Sequence, residues 1–302
     1  MESEAIQRAA VAVASRPQRK RWRQLAGQFV HDQPLGAIGA VIVVILIVVA
    51  ILAPWIATYG PKATDFDAYL WPNHTHWFGT DNLGRDIFSR VVWGARLSLY
   101  VGLTSVGVGV TIGAIWGVYS AYIGGMVDAI TQRVVDVVMG FPPIVLALGL
   151  MAVLGQSVNN VVLALVVLLS PSAARTMRSS VLSLKEMTYV ESARAVGSSN
   201  LRIVFRHLVP NCLGTYIVLF TVNVAYAIVV EAALSFLGLG SPPDEPSWGG
   251  MLTGATQSLE RAPYMALFPG LAICLVVFGL NLLGDAIRDV TDAKMRGQGG
   301  ND

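Results

Sequence analysis

Charge is scarce in this chain. Of 302 residues, 21 are Lys or Arg and 19 are Asp or Glu, so 13% carry a charge, against about a quarter in soluble domains. Hydrophobic residues make up 54%, and the mean hydropathy is +0.59. This excludes a soluble globular domain and marks an integral membrane protein. Cysteine is nearly missing: Cys212 and Cys274 lie in or beside apolar runs without CxxC or Cys/His spacing, so neither a disulfide framework nor a metal site is expected. Only four lysines occur, Lys20, Lys62, Lys185 and Lys294, and none follows a glycine. A GxxxxGK[ST] phosphate loop is therefore absent, and any ATP must be held by another chain. His74 and His76 flank Thr75 without a Cys or carboxylate ligand set, and no metal is assigned to them. No nucleophile–base constellation supports an enzyme, and no basic patch with interleaved aromatics supports nucleic-acid binding.

What is present is a series of long apolar runs. The run 35–57 has about the 20 residues a bilayer requires. Further spans are expected at 97–122, 127–154, 158–176, 212–239 and 264–287, which gives an all-α polytopic membrane protein with six transmembrane helices. The apolar run after the basic N-terminal segment is too long for a signal peptide. That segment, helical near 22–30, reads as a cytoplasmic tail whose arginines meet anionic lipid. Six spans put both termini on one side. That side carries sixteen Lys and Arg: Arg8, Arg16, Arg19, Lys20, Arg21, Arg23, Arg133, Arg175, Arg178, Lys185, Arg194, Arg202, Arg206, Arg288, Lys294 and Arg296. The other side carries five: Lys62, Arg85, Arg90, Arg96 and Arg261. The imbalance places the termini and the 177–211 loop in the cytoplasm. The domain plan is a tail 1–34, a first span with an extracytoplasmic loop 35–96, a membrane core 97–288 and a tail 289–302.

Inside the spans, small residues recur every fourth position at Ser105, Gly109, Gly113, Gly117, Ala121 and Gly125. Such a stripe lets two helix backbones approach closely, within this subunit or against another. Gly140-Phe141-Pro142-Pro143 interrupts the third span, and the prolines should leave the Val138 and Met139 carbonyls without their usual partners. Pro171 does the same to Val167 in the fourth span. Broken helices at membrane depth line cavities or lie buried in protein, which makes Phe141, Pro142, Pro143 and Pro171 candidate pathway residues. Arg133 and Asp136 are close enough in sequence to pair. Glu231 sits well inside the fifth span, where a carboxylate is costly; it is expected either to pair with an arginine such as Arg96 or to contact cargo.

The longest polar interval in the last two-thirds of the chain is 188–211. Thr188 and Glu191 have the spacing of a capping box. A short helix is expected over 189–196, ended by a left-handed Gly197. A second helix should start at Ser199 and stop before Pro210. Val190, Ala193 and Gly197 share one face with Arg194 beside it, a face small enough to enter a groove on another protein.

These residues resemble the EAA loop of ABC-transporter permeases: Glu191, Ala193, Gly197 and Pro210 match its spacing, while Ser192, His207 and Val209 replace the usual Ala, Ile and Leu. The outer block His76 to Arg90, the block Glu231 to Gly240, and Pro246-Ser247-Trp248-Gly249-Gly250-Met251-Leu252 resemble the second permease of peptide/nickel uptake transporters. The resemblance runs from about Leu35 to Lys294. It implies a type I ABC importer permease fold in the bacterial inner membrane. It also implies a homologous second permease, two cytoplasmic ATPases that hold the ATP and Mg, and an extracytoplasmic solute-binding protein. By the same resemblance Tyr189, Val190, Glu191, Ser192, Ala193, Arg194 and Gly197 form the helix that docks on an ATPase. On the outer side the segments 59–96 and 240–263, with Arg85, Asp86 and Trp248, receive the binding protein. The implied cargo is a di- or oligopeptide, with glutathione, an opine, an oligosaccharide or nickel as alternatives. A secondary transporter working alone would need inverted repeats and mid-membrane charge relays, and the sequence shows neither.

Overall fold

A computed structural model describes residues 30–298, with side chains as far as 291. The expected tail helix near 22–30 and the N-terminal basic residues lie outside the described residues. Within them the chain is helical, and its one extended pairing is an antiparallel bridge between Thr80 and Asp86.

The first span is α1, Pro34–Ile51, opened by a proline whose missing amide costs nothing in the first turn. One turn, α2, Ala53–Ile56, follows it. The second span is α3, Ile87–Ile123, which begins ten residues earlier than the apolar run indicates. Asp86 is the reason: its carboxylate accepts the Ser89 amide at 2.8 Å and starts the helix inside the polar loop. The third span is two helices, α4, Gly125–Met139, and α5, Pro143–Leu154, bent by 87° at the proline pair. The fourth, α6, Val158–Leu184, runs eight residues past its expected end at 176. After it come α7, Thr188–Ala195, and α8, Asn200–Ile203.

A π-helical turn, Val204–Leu208, then leads into α9, Val209–Phe236. The expected stop before Pro210 does not occur. Pro210 falls in the first turn of α9, and the widened turn carries the chain past a residue that can neither donate nor tolerate the carbonyl four positions back. The Asn211 side chain donates to the His207 carbonyl at 2.6 Å and satisfies a backbone acceptor in the widened turn. Two more helices follow among the described residues, α10, Trp248–Thr256, and α11, Tyr264–Gln298. Among the described residues, five helices are long and apolar enough to cross a membrane, and the bent α4–α5 pair makes a sixth span.

The stripe of small residues on α3 meets α6 within this chain. A Cβ on Gly109 would press on the backbone of Val166, one on Gly113 would strike the Ser170 carbonyl, and one on Gly117 the Ala174 carbonyl. Close backbone approach of this kind replaces the hydrophobic effect as the force joining helices in lipid. Two turns nearer the start of α3, Gly102 faces Val224 and Ile228 of α9. Helix α1 joins the bundle through Gly39, which abuts Gly279 and Leu283 of α11; much of its remaining surface is open, as at Val41 and Val44. One end of the bundle carries α7. The opposite end carries the 57–86 loop and α10.

Candidate functional site

Helix α7 is seated by two side chains. Val190 is fully buried and Ala193 nearly so, in a cluster with Ala114, Val118, Met177, Val181, Ile203, Leu208 and Cys212. The face expected to enter a partner therefore points into this chain's own core. Tyr189, Glu191, Ser192, Arg194 and Gly197 are on the exposed side. The Thr188–Glu191 capping box is not formed: Met187 is the N-cap residue, and no side chain caps the helix there. Thr188 is already helical, and its carbonyl accepts the Ser192 hydroxyl at 2.8 Å. Glu191 stands free in the first turn, where a carboxylate suits the helix dipole.

The other end of α7 follows expectation. Gly197 has φ +78°, its amide donates to the Arg194 carbonyl at 2.9 Å, and the Ser198 amide reaches back to Ala193 at 3.0 Å. This is a Schellman turn, which only a residue tolerant of left-handed geometry closes without strain. A Cβ on Gly197 would meet nothing within 4 Å. Arg194 lies over the Tyr122 ring at 5.9 Å, and Tyr189 stacks at a tilt near His207. The sequence reading missed three neighbours. Val196, Leu201 and Phe205 are 83%, 71% and 68% exposed beside α7. Large apolar side chains inside a polar interval were the available signal.

At the opposite end the polar residues turn inward. Asp86 is buried; besides capping α3 it bonds the His76 ring at 2.9 Å. Asp81 accepts the Leu83 and Arg85 amides and the Arg85 guanidinium, the last at 2.6 Å. Trp248 is buried against Gly94, and its indole donates to the Val91 carbonyl at 2.9 Å. Asp86 and Trp248 thus hold the loop together and are not available to a docking protein, and Arg85 is largely committed to Asp81. Exposed residues of the same cap are Trp71, Trp77 and Leu83. Lys62 ties the loop to the 240–247 segment through Asp244 at 2.5 Å and Glu245 at 3.0 Å. The two carboxylates hold the Lys62 ammonium above its ordinary pKa, and Lys62 holds Asp244 below the usual carboxylate range.

The bent span opens a cavity of about 350 Å³. Phe141 and Pro143 of the candidate pathway set line it, with Val138 and Met139 of α4, Leu168 and Ser172 of α6, and Asn223 and Tyr226 of α9. Pro142 is in the break itself. Val138 loses its usual partner at Pro142 but not all partners, since its carbonyl accepts the Phe141 amide at 3.3 Å. Pro171 is buried within a continuous α6 and stands outside the cavity lining. Glu231 is buried too. Its Oε1 accepts the Ser235 hydroxyl at 2.9 Å and its Oε2 has no hydrogen-bond partner. Arg96 does not pair with it; its guanidinium lies 5.7 Å from the Trp93 ring centroid. Asp136 pairs with Arg175 of α6 in place of Arg133, and Asp128 forms a two-pronged pair with Arg178 at 2.6 and 2.7 Å. Both pairs fasten α4 to α6.

Known proteins place this arrangement. Residues 109–297 match the model of the binding-protein-dependent transport system inner membrane component family. Residues 21–73 match the N-terminal transmembrane domain of oligopeptide transport permease C. Glutathione transport system permease proteins from Escherichia coli (O1:K1 / APEC) and Shigella sonnei are each 42% identical over 281 residues, 92% of this chain and 92% of theirs. An inward-facing structure of the MetNI methionine ABC transporter superposes on 68% of this chain and 96% of its own with a TM-score of 0.50 at 20% identity, a likeness of fold alone. The chain therefore belongs to the binding-protein-dependent transport system inner membrane component family, as the non-catalytic, membrane-spanning permease subunit of an ATP-driven ABC importer.

Proposed function

We propose that this permease carries short peptides, glutathione among them, with α7 transmitting the motion of a cytoplasmic ATPase to the bundle. The observation that carries the mechanical half is the division of α7 into two faces. Val190 and Ala193 lock it to the inner ends of α6 and α9, while Glu191, Ser192, Arg194 and Val196 face outward at the same end. A short rod held on one side and open on the other passes force from a partner into the spans without bending. The cargo half rests on the 42% identity to permeases named for glutathione transport, together with the N-terminal match to an oligopeptide permease.

In this reading the Lys and Arg excess sets α7 in the cytoplasm. A homologous second permease completes the path, and two ATPases hold ATP and Mg. The exposed aromatics of the 57–86 cap, Trp71 and Trp77, then face a solute-binding protein on the outside. ATP-driven closure of the ATPases moves α7 and opens the outer end to cargo. The test is reconstitution in liposomes. The permease pair with ATPases and binding protein should accumulate labelled glutathione or a dipeptide when ATP is supplied, and this chain alone should neither hydrolyse ATP nor take up peptide. Robust hydrolysis by the single chain contradicts the coupling role, and uptake of a non-peptide cargo in place of both peptides contradicts the cargo.

A further inference from the structure

The cavity at the break of the bent span has a chemistry that the pathway residues Phe141 and Pro143 do not explain. Among the described residues no charged side chain lines it, yet three polar ones do: Ser172, Asn223 and Tyr226. All three lie on membrane-spanning helices, more than two turns from either end of α6 or α9. Polar side chains at that depth normally find a protein partner or face water. Asn223 donates its amide NH₂ to the Leu219 carbonyl at 2.7 Å, and Ser172 donates to Leu169 at 3.0 Å. These bonds stay within their own helices. They leave the Asn223 carbonyl oxygen and the Ser172 oxygen with free acceptor capacity, and among the described residues the Tyr226 hydroxyl has no hydrogen-bond partner. Tyr226 is 38% exposed, and Asn223 is half-buried one turn before it. On the facing side the helix is broken, and irregular backbone at membrane depth is tolerated where it lines a cavity.

We infer that Ser172, Asn223 and Tyr226 form a neutral contact patch for the main chain of a peptide passing the break between α4 and α5. An amide group brings one donor and one acceptor; Asn and Tyr side chains offer both. A site without ionised groups matches each peptide unit while leaving the charged peptide ends no counter-ion that would hold them in transit. The inference rests on the peptide reading above, so its tests separate the two. The first arm needs no cargo. In the assembled transporter with Cys212→Ala and Cys274→Ala, a Tyr226→Cys variant should react with a water-soluble thiol reagent, as Leu271→Cys on the outer surface of α11 should not. Failure of Tyr226→Cys to react, while a Leu83→Cys control in the cap does react, places the residue away from a water-filled path and overturns the inference.

The second arm uses the intact complex with glutathione or a dipeptide. Tyr226→Phe with Asn223→Leu removes two of the three free groups with little change of volume. Peptide taken up per ATP hydrolysed should fall about tenfold, the size of losing one or two hydrogen bonds made in transit. Hydrolysis stimulated by the binding protein is measured on the same complexes and supplies the denominator of that ratio. The conservative Asn223→Gln with Tyr226 retained should restore most of the ratio. An unchanged ratio in the double variant overturns the patch while leaving the peptide reading intact. Absence of peptide uptake by the wild-type complex overturns the peptide reading, and the patch as a peptide contact falls with it.

Discussion

The two ends of the bundle treat similar residues in opposite ways. At the cap end Asp81, Asp86, His76 and Trp248 are buried and bonded within the cap: Asp86 to the His76 ring, Asp81 to the Leu83 amide and Trp248 to the Val91 carbonyl. At the α7 end Glu191, Ser192 and Arg194 are exposed, and two apolar residues hold the helix. The cap is a polar structure that stabilises itself. The α7 segment spends almost nothing on its own stability and keeps its polar face open. Polar motifs of equal visibility in the sequence thus carry fold at one end and are left for a partner at the other.

The largest effect separating the ends should come from Asp86→Ala. It removes the N-cap of α3 and strands the His76 ring and the Ser89 amide, a loss of about 2–5 kcal/mol. The 57–86 loop should become open to limited proteolysis and assembled protein should decline. A protease-resistant loop in this variant would show that the polar network is ornamental. At the α7 end a comparable loss should need a core residue: Val190→Asp puts a charge into the cluster with Met177 and Leu208, costing about 2–4 kcal/mol. Glu191→Ala, one residue away, should change stability by less than about 1 kcal/mol, since only a favourable dipole contact is lost. Thermal unfolding in detergent compares the two, and equal destabilisation would mean that Glu191 is part of the fold after all.

The smallest effect concerns the tie between the two cap segments. Lys62 is raised and Asp244 lowered, so the pair's contribution is full between the ordinary carboxylate and lysine ranges. It is lost as pH falls through the depressed Asp244 pKa, and lost again as pH rises through the elevated Lys62 pKa. Both groups are exposed, so the contribution is small and weakens with salt. Lys62→Met should flatten the acid-side change in loop protection measured by hydrogen exchange. An acid-side change of full size in that variant would assign it to another group.

Much of this was legible from composition and spacing. Six apolar runs foretold the spans, and the four-residue stripe on α3 foretold a close helix contact, which the Ser170 and Ala174 carbonyls supply. Gly197 was legible because an αL turn after a short helix selects glycine. Span ends were not, because a polar residue can lie inside a helix when its partners are protein: Ser89 and Arg90 are buried at the start of α3. The capping box failed because Met187 takes the N-cap place, shifting Thr188 into the helix. The partners of Asp136 and Glu231 were also hidden. Arg133, three residues before Asp136, has the spacing of a helix neighbour, yet the partner is Arg175, which arrives from α6, a contact that only packing creates. Of the cavity residues, Phe141 and Pro143 announced themselves by the broken helix, while Asn223 and Tyr226 read as two isolated polar residues in an apolar run.

Gly197→Asp offers the most direct test of α7 as the coupling element. Aspartate tolerates left-handed geometry better than most residues, and its Cβ would enter open space in this chain, so within the chain the change costs local turn strain without a clash, and insertion and assembly report that strain separately from coupling. The measurement is binding-protein-stimulated ATP hydrolysis per assembled complex, with Gly197→Asp beside wild type and the ATPase content of each complex determined by pull-down. The expected result is normal membrane insertion with stimulated hydrolysis, or ATPase retention, reduced by about tenfold or more. Wild-type hydrolysis and wild-type ATPase content in the variant would show that the helix is only a connection between α6 and α9.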